Sequence, residues 1–497
     1  MLYTSTRDNS VKVNSADAIV HGISADGGLF VPTEIPKIDA SFISELVPLD
    51  YISRAKKVLK LYLTDFTEEE IAMCVEGAYK DGKFSSEKVA PLHKYNENAE
   101  ILELWRGPTC AFKDMALQLL PYLLTVSVKK TGSDKTIVIL VATSGDTGKA
   151  ALEGFKNVPG TKIMVFYPSD GVSPMQKLQM ATQEGDNVNV CAIKGNFDDA
   201  QNGVKAIFTD KAVAEKLAEH SMMFSSANSI NWGRLVPQIV YYVSAYCDMI
   251  AKGRINNGDE INIVVPTGNF GNILAAYYAK MMGVPVKKLI CASNANNVLT
   301  DFLKTGTYDK NRKFYTTTSP SMDILISSNL ERLLYHLTQS DKAVSSLMNK
   351  LSSDGKYDVD SETMNKITAL FDAGFCDDAQ TKKTIADTYK NGYLLDTHTA
   401  VAVNVYNAYT ERTGDSTPTV IASTANPYKF SAAVLGAVSS EDISSLNEFE
   451  QVEKLIDETK EPCPPQLANL RGKKPRFTDC CDKEKMIEMV YKMLGID

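Results

Sequence analysis

The chain reads Trp105-Arg106-Gly107-Pro108-Thr109-Cys110-Ala111-Phe112-Lys113-Asp114 between an apolar run at residues 101–105 and an amphipathic run at residues 115–124. This order predicts a strand, a Gly-Pro turn and the start of a helix, with one lysine at the helix start. Unpaired N–H groups and the positive end of the helix dipole both oppose an ammonium group at that place. The position of Lys113 therefore needs an explanation.

Two explanations of Lys113 are open. A lysine at such a place can form a Schiff base with pyridoxal phosphate (PLP), whose ring stores electrons while bonds at an amino acid's α-carbon break. The alternative is a solvated lysine that only starts a helix. The spacing does not separate the two, so the rest of the chain must decide.

The composition is that of a soluble globular protein, with 497 residues, 44% of them hydrophobic and 23% charged. The net charge of −8 argues against non-specific binding to nucleic acid or membrane, so local positive features must meet any anionic ligand. The nine cysteines lack Cys-x-x-Cys spacing, and we find neither a signal peptide nor a membrane span in the sequence. We expect a cytoplasmic protein with free thiols.

From about residue 99 onward, short β-branched runs alternate with helical patterns. The runs are apolar on both faces, as buried parallel strands are, which predicts an α/β fold. They occupy residues 136–142, 162–167, 188–193, 261–265, 289–292 and 419–422. Helices are expected at residues 67–79, where Thr67 and the following glutamates form a cap, and at 148–156, 198–210 and 272–282.

We divide the chain into three parts. Residues 1–95 form an amino-terminal domain of helices and loops, and residues 96–440 form an α/β region. Within that region we expect a smaller subdomain at about 130–225 and a charged, helical insertion at about 300–395. Residues 441–497 form a carboxyl-terminal tail.

Loops at the carboxyl ends of parallel strands are where open α/β sheets bind ligands. The loop Thr143-Ser144-Gly145-Asp146-Thr147-Gly148 can bind an anion, but it does not fit the nucleotide-binding frame, which needs glycine at 143 and Ser or Thr at 150. A smaller anion such as a carboxylate suits it. The loop Gly268-Asn269-Phe270-Gly271-Asn272 can hold a cofactor phosphate on backbone donors. Ordinary strand-to-helix turns remain the alternative for both.

Two further segments carry polar groups. Thr424 follows a strand and could hydrogen-bond a ring nitrogen, unless it only caps a helix. The segment Asn228-Ser229-Ile230-Asn231-Trp232-Gly233-Arg234 combines one arginine with short polar side chains, which suits a phosphate or carboxylate, although a structural arginine is the alternative. The five histidines show no metal-binding spacing, so no metal site is expected.

Taken together, these motifs and their order resemble threonine synthases, in the branch typical of fungi and many bacteria. The resemblance also includes Tyr3-Thr4-Ser5-Thr6-Arg7, Asp26-Gly27-Gly28-Leu29-Phe30-Val31-Pro32, Ser321-Met322-Asp323-Ile324 and residues 423–430. It implies the tryptophan-synthase-β fold (PLP fold type II), with parallel sheets flanked by helices. The chain departs from the family at Asn426, where His is frequent, and at Thr397, where Pro is frequent.

The resemblance also implies roles for individual residues. Lys113 would link PLP and later move protons, and Thr424 would face the pyridine nitrogen. Gly268, Asn269, Phe270, Gly271 and Asn272 would bind the cofactor phosphate. The substrate carboxylate and the cofactor ring edge would meet Ser144, Asp146 and Thr147. The substrate phosphate would meet Ser229, Asn231 and Arg234.

The implied reaction converts O-phospho-L-homoserine and water into L-threonine and phosphate. We expect a small-molecule substrate, no nucleic-acid or membrane partner, and a monomer or weak homodimer. The alternatives are another fold-type-II PLP lyase, such as a threonine/serine dehydratase, and a non-catalytic binding protein of the same fold. The dehydratases lack the Asn-Trp-Gly-Arg segment and the long amino-terminal domain, and the intact Lys113 argues against a non-catalytic protein.

Overall fold

The computed structural model describes residues 1–143, 145–169 and 172–496, apart from the side chains of Phe197 and Asp198. Two mainly parallel sheets organise the fold. The larger one contains, in spatial order, β13 (Phe371–Phe375), β10 (Val286–Ser293), β9 (Ile261–Pro266), β14 (Thr419–Ser423), β4 (Ala99–Glu103) and β3 (Leu92–Lys94). Its strands run parallel except β3, which is antiparallel to β4.

The smaller sheet is wholly parallel. In spatial order it contains β15 (Cys480–Asp482), β7 (Val188–Lys194), β6 (Thr161–Pro168), β5 (Thr136–Ala142) and β8 (Met222–Ser225). Two antiparallel pairs lie outside these sheets. They join β1 (Tyr3–Ser5) to β2 (Phe30–Pro32) and β11 (Thr307–Asp309) to β12 (Lys356–Asp358).

Helices cover both sheets and form the amino-terminal part. The first eleven are α1 (Ser15–His21), α2 (Ala40–Leu46), α3 (Tyr51–Tyr62), α4 (Glu68–Tyr79), α5 (Asp114–Leu117), α6 (Leu120–Lys130), α7 (Asp146–Phe155), α8 (Pro174–Ala181), α9 (Phe197–Thr209), α10 (Lys211–Glu219) and α11 (Trp232–Ala251). The remainder are α12 (Gly271–Met282), α13 (Val298–Thr305), α14 (Leu330–Thr338), α15 (Asp341–Ser353), α16 (Ser361–Leu370), α17 (Asp378–Lys390), α18 (Thr397–Thr413), α19 (Ser431–Val438), α20 (Glu448–Thr459), α21 (Pro465–Ala468) and α22 (Met486–Leu494). Short 3-10 helices occupy Pro320–Met322, Pro427–Phe430 and Lys483–Lys485.

The six predicted apolar runs are all strands, which confirms the α/β prediction. Each is buried on both faces because helices pack on both sides of its sheet. The predicted capped helix is also confirmed, because the Thr67 hydroxyl accepts from the Glu70 N–H and the Glu70 carboxylate accepts from the Thr67 N–H. Within the part of the chain that the structure describes, no helix has the length and apolar character needed to cross a membrane.

The region at 300–395 is helical, as predicted, but it also supplies strand β13 to the edge of the larger sheet. Strand β15 and helix α22 extend from the tail onto the smaller sheet, where β15 pairs with β7. Neither strand was predicted. The division at residues 95 and 440 stays a prediction.

The chain topology brings four strand ends together. Strands β4, β9 and β14 are neighbours in the larger sheet, so the loops that follow them meet at one edge. The loop after β5 in the smaller sheet faces the same edge. Its Asp146 contacts Lys113 from the loop after β4 and Lys429 from the segment after β14. The site therefore lies between the two sheets.

Candidate active site

Lys113 lies at the start of α5, as predicted, at the end of the turn that follows β4. Its Nζ lies 3.2 Å from the Ser321 Oγ and 3.6 Å from the Asp146 Oδ2, and 11% of the side chain is exposed. Burial lowers the pKa of Lys113, and the positive charges of Lys429 and Arg234 lower it further, while Asp146 opposes the shift. A buried amine of this kind can serve as a nucleophile and a proton carrier.

Two backbone hydrogen bonds join the turn that carries Lys113 to the loop after β14. The Phe112 N–H donates to the Thr424 carbonyl at 2.8 Å, and the Asn426 N–H donates to the Cys110 carbonyl at 3.0 Å. These bonds place Thr424 beside Lys113. The Thr424 side chain is buried, and its hydroxyl has no hydrogen-bond partner among the described residues, so it is available to a ligand.

The loop between β9 and α12 presents a row of free donors. The backbone N–H groups of residues 268–273 find no acceptor in the described ranges. They lie at the amino terminus of the twelve-residue helix α12, where the helix dipole is positive. Such a set of backbone donors can bind a phosphate without a cationic side chain.

The side chains of this loop are held from behind. Asn272 Oδ1 accepts from the hydroxyls of Tyr241 at 2.7 Å and Tyr242 at 2.6 Å, whereas its buried Nδ2 has no partner among the described residues. Phe270 adopts a left-handed conformation, with φ of 62°, at the start of α12. A Cβ at Gly268 would lie 2.7 Å from the Ser321 carbonyl oxygen, so only glycine allows this approach.

Arg234 is a buried guanidinium in the first turn of α11. Its Nη1 donates to the Ala227 carbonyl at 2.5 Å, and its Nε has no partner in the part of the chain described. Burial lowers the pKa of Arg234 to about 10, and no carboxylate of the described residues forms an ion pair with it. A buried cation without a counter-charge is costly, so this guanidinium is a good site for an anionic ligand.

The two other predicted residues of this segment differ from Arg234. The Asn231 amide donates to the Ile19 and Ser226 carbonyls, both at 2.9 Å, and its oxygen accepts from the Gly233 N–H. The geometry therefore gives Asn231 a positioning role, since it caps α11 and fixes the segment that carries Arg234. Ser229 is half-buried in the turn before α11. Direct contact of either residue with a phosphate stays a prediction.

The loop after β5 is organised around Thr143, whose hydroxyl accepts from the N–H groups of Gly145 and Gly148, both at 3.0 Å. Gly145 has φ of 147°, and a Cβ there would meet the Gln176 side chain at 2.6 Å. The N–H groups of Asp146 and Thr147 have no acceptor among the described residues, and Thr147 is half-buried. Ser144, which we also predicted in this site, lies outside the described residues.

The Asp146 carboxylate is already paired with side chains of the protein. Its Oδ1 lies 2.7 Å from the Lys429 Nζ and accepts from the Gln176 Nε2 at 2.9 Å. Burial alone would raise the pKa of Asp146, but Lys429 and Lys113 outweigh burial and hold it well below its ordinary value. A carboxylate with these partners does not itself attract a substrate carboxylate, so that contact would have to come from the backbone of this loop.

Sequence reasoning missed two side chains of this site, Ser321 and Lys429, whereas His398 stood out as the one histidine in a loop of functional character. Ser321 contacts Lys113, and its backbone N–H donates to the His398 Nε2 at 3.2 Å. His398 is buried, and its Nδ1 lies 2.9 Å from the Asp396 Oδ1. Lys429 is fully buried against Asp146. Ser321 and Lys429 fall in segments that we had quoted, but no local pattern indicates that they face a lysine more than 200 residues away.

The donors of this site fit PLP. An amine can bond its aldehyde carbon, the free N–H groups of residues 268–273 can hold its phosphate, and the unpartnered Thr424 hydroxyl can meet its ring nitrogen. Arg234 lies outside that phosphate loop and leaves a second place for an anion. The described residues include no cluster of His, Cys, Asp and Glu that could hold a metal ion.

Comparison with known proteins identifies three matching families. Residues 2–79 match "Threonine synthase N terminus", residues 90–424 match "Pyridoxal-phosphate dependent enzyme", and residues 399–490 match "Threonine synthase, C-terminal". The middle match alone covers more than half of the chain. Together the three cover nearly all of it.

Individual relatives agree with these families. Threonine synthase of Saccharomyces cerevisiae is 35% identical, across 99% of this chain and 98% of the relative. The human protein named Threonine synthase-like 1 is 41% identical across 87% of this chain, but the aligned region spans only 59% of that longer protein. The crystal structure of PLP-bound threonine synthase from Brucella melitensis is 36% identical and superposes with a TM-score of 0.88 over 99% of both chains.

These matches also confirm the predicted type II fold of PLP enzymes and the prediction of PLP as the cofactor. The chain belongs to the threonine synthase family of pyridoxal-phosphate-dependent enzymes.

Proposed function

We propose that this chain is a threonine synthase, which converts O-phospho-L-homoserine and water into L-threonine and phosphate. One observation supports the proposal: two separate sets of donors without partners among the described residues, the N–H groups of residues 268–273 and the buried Arg234 guanidinium, lie near one buried lysine. PLP brings one phosphate, and a phosphorylated substrate brings a second. An enzyme for unphosphorylated amino acids would need the cofactor-phosphate site and a place for the substrate carboxylate, but no second phosphate site.

The cofactor site would be formed by four features. Lys113 would hold the cofactor covalently, the N–H groups of residues 268–273 and the Asn272 Nδ2 would hold its phosphate, and Thr424 would face the ring nitrogen. Bound PLP supplies an electron sink for the negative charge that develops at the substrate α-carbon. A neutral hydroxyl at Thr424 suits this position because it does not force the ring nitrogen to carry a proton.

Lys113 would act as the proton carrier. Its Nζ can take the proton from the substrate α-carbon only while the amine is neutral, and burial favours the neutral amine by lowering the pKa of Lys113. The Ser321 hydroxyl, 3.2 Å away, would orient the amine. One flexible amine on one face of the substrate can then also return a proton to the carbon from which phosphate departs.

Arg234 would bind the substrate phosphate. Its orphaned Nε and low exposure support a charge-assisted bond to a phosphate oxygen, which is stronger away from water. The same contact would stabilise the negative charge on the departing phosphate. Asn231 would keep Arg234 in place by capping its helix, and Ser229 would complete the rim of this anion site.

The substrate carboxylate would bind at the start of α7. The free N–H groups of Asp146 and Thr147 support this assignment, because they lie at the positive end of a ten-residue helix. The half-buried Thr147 in the first turn of α7 would contribute its hydroxyl. Ser144 belongs to the same proposed site.

We further propose that the protein is cytoplasmic and forms a monomer or weak homodimer. The nine cysteines support a reducing compartment, since all of them are free thiols. Light scattering of the purified protein across a range of concentrations tests the oligomeric state. A concentration-independent mass larger than that of a dimer would contradict it.

The activity is tested with purified protein, O-phospho-L-homoserine and separate assays for phosphate and threonine. The proposal predicts equal molar amounts of both products, formed only when PLP is present. It fails if no phosphate is released. A 2-oxo acid formed from threonine or serine, with phosphohomoserine left intact, would instead identify a dehydratase.

A further inference from the structure

A second lysine is buried in the site beside Lys113. Lys429 lies in the 3-10 helix Pro427–Phe430, and its side chain is 0% exposed. Its Nζ forms an ion pair with the Asp146 Oδ1 at 2.7 Å and donates to the Thr109 carbonyl at 2.8 Å. The role outlined for the proposed function does not use this amine, although its burial makes it costly to keep.

Asp146 lies between the two lysines. Its Oδ1 is engaged by Lys429 and Gln176, while its Oδ2 lies 3.6 Å from the Lys113 Nζ, which is longer than a hydrogen bond. A buried carboxylate pairs most strongly with the cation that approaches it most closely. The short contact belongs to Lys429, so Lys113 is left with the weaker one.

We propose that Lys429 is a positioning residue for Lys113: it holds the Asp146 carboxylate to itself, and thereby leaves the Lys113 amine free to react. The inference relies on the proposed function only for the assignment of Lys113 as the reactive amine. Asn426 supports the arrangement, because its side chain caps the 3-10 helix that carries Lys429 by accepting from the Tyr428 N–H at 3.0 Å.

The charges around Lys113 determine the direction in which each substitution should shift the pKa of its amine. Asp146 faces it from α7, Lys429 from the 3-10 helix and Arg234 from α11, while Ser321, backed by His398, contributes a neutral hydroxyl. On its own element, Asp114 is turned toward Thr109. Burial lowers the pKa of Lys113 most, the two cations lower it further and Asp146 raises it. Loss of Lys429 should therefore favour the ammonium form, and loss of the Asp146 charge should favour the amine.

The experiment compares Lys429→Met and Asp146→Asn with the wild type, using the full chain freed of PLP. Acetylation of Lys113 by acetic anhydride is followed against pH by peptide mass spectrometry. The exposed Lys383 of the same chain serves as the internal reference. We expect the midpoint for Lys113 to rise by about one pH unit in Lys429→Met and to fall in Asp146→Asn, a change of about tenfold in free amine at a fixed pH.

A matched control is Lys252→Met, which removes another lysine from a buried carboxylate, Glu100, at the opposite end of β4. Its Lys113 midpoint should equal that of the wild type. Opposite shifts support the proposal, because a general loosening of the site would move both midpoints in the same direction. Unchanged midpoints, or shifts of the same sign, would overturn it.

The second variant and one further measurement keep the outcome interpretable. If Lys429→Met does not fold, Asp146→Asn still decides, since a midpoint that fails to fall contradicts the shared carboxylate. Borohydride treatment with PLP tests the assignment of Lys113 itself. If Lys113 carries no pyridoxyl group in the wild type, the proposed function fails. If Lys113 carries the pyridoxyl group but its acetylation midpoints in the two variants do not shift in opposite directions, only the role of Lys429 fails.

Discussion

Asp114 follows Lys113 directly and lies fully buried. Its two carboxylate oxygens accept from the Thr109 N–H at 2.8 Å and from the Thr109 hydroxyl at 2.7 Å. Burial raises the pKa of Asp114 to about 6, although both bonds from Thr109 oppose the shift. This carboxyl group hydrogen-bonds across the turn that carries Lys113, and the free energy of keeping it buried depends on pH.

The pH dependence has a definite sign. The folded-state pKa of about 6 exceeds the ordinary value of 3.8, so the folded protein binds the Asp114 proton more tightly than the unfolded chain does. The contribution of Asp114 protonation to the free energy of unfolding is fully present below about pH 4 and is lost as the pH rises through 6. A difference of roughly two pKa units corresponds to about 3 kcal/mol.

We predict that the free energy of unfolding of the wild type, minus that of Asp114→Asn, falls by about 3 kcal/mol between about pH 4 and pH 7. The other titrating groups are common to both proteins and cancel in this difference. Urea unfolding at matched pH values measures it. A difference that stays constant across the range would show that Asp114 does not titrate there.

Arg234 provides a second prediction for a single residue. Because its guanidinium is buried without a carboxylate, Arg234→Ala should lower kcat/KM for O-phospho-L-homoserine by roughly 100-fold, the loss of one or two charge-assisted bonds. The affinity for PLP should change much less. Steady-state kinetics and a PLP titration measure the two effects. The exposed Arg412, paired with Asp372, offers Arg412→Ala as a control without effect. Equal losses for substrate and cofactor would contradict the assignment.

At the scale of elements, the amino terminus of α12 is central to the cofactor site. Strand β9 ends at Pro266, and Phe270 adopts its left-handed conformation just before the helix begins. That conformation costs of the order of 1 kcal/mol for a residue other than glycine. The packing of Phe270 against Phe371, with ring centroids 5.9 Å apart, helps to maintain it.

Asn272→Asp tests this helix terminus. The change keeps an oxygen for the two tyrosine hydroxyls, but it replaces the orphaned Nδ2 donor with a carboxylate oxygen. We predict that PLP affinity falls at least roughly tenfold because the new charge repels the cofactor phosphate. Pyridoxal, which has no phosphate, is the matched ligand and should bind the two proteins alike. A similar loss for pyridoxal would place the cofactor phosphate elsewhere.

A helix or strand could be predicted from the sequence where its own residues were enough to determine its conformation. Residues 136–142 read as a buried strand because they are apolar throughout, and β5 has the predicted bounds. Strand β13 was missed because Phe371–Phe375 contains Asp372 and Gly374, and its extended form depends on pairing with β10 at the sheet edge. Strand β15 is only three residues long and exists through its pairing with β7.

At the scale of the whole molecule, the last residues of the chain complete the smaller sheet. Met486, Val490 and Leu494 of α22 pack in the same hydrophobic cluster as Ile193 of β7 and Val204 of α9. The contact with α9 is close, since a Cβ at Gly203 would lie within van der Waals overlap of the Met486 side chain. The tail therefore stabilises the sheet that carries the loop with Asp146.

We predict that Met486→Ala destabilises this sheet by about 2–4 kcal/mol, the usual cost of a large-to-small change in a core. Hydrogen exchange should show lost protection in β5, β6 and β7, with little change in β9 and β10. Met73→Ala is the control, because Met73 is 54% exposed on α4. Uniform loss of protection in both sheets would mean that the tail stabilises the molecule as a whole.

The candidate site shows the same limit of sequence reasoning on a larger scale. Lys113 and the loop after β9 carry local signals, namely a lysine at a helix start and glycines before a helix. The contacts of Ser321 and Lys429 with this lysine depend on folding that joins distant parts of the chain. Side chains of that kind become visible only when the strand ends are placed together.

Whether Lys113 holds the cofactor is tested most directly by reducing the purified, PLP-loaded protein with borohydride and locating the pyridoxyl group by peptide mass spectrometry. We predict one modified residue, Lys113, and no modification of the neighbouring Lys429. A pyridoxyl group on Lys429 or on any other lysine, with Lys113 unmodified, would contradict it.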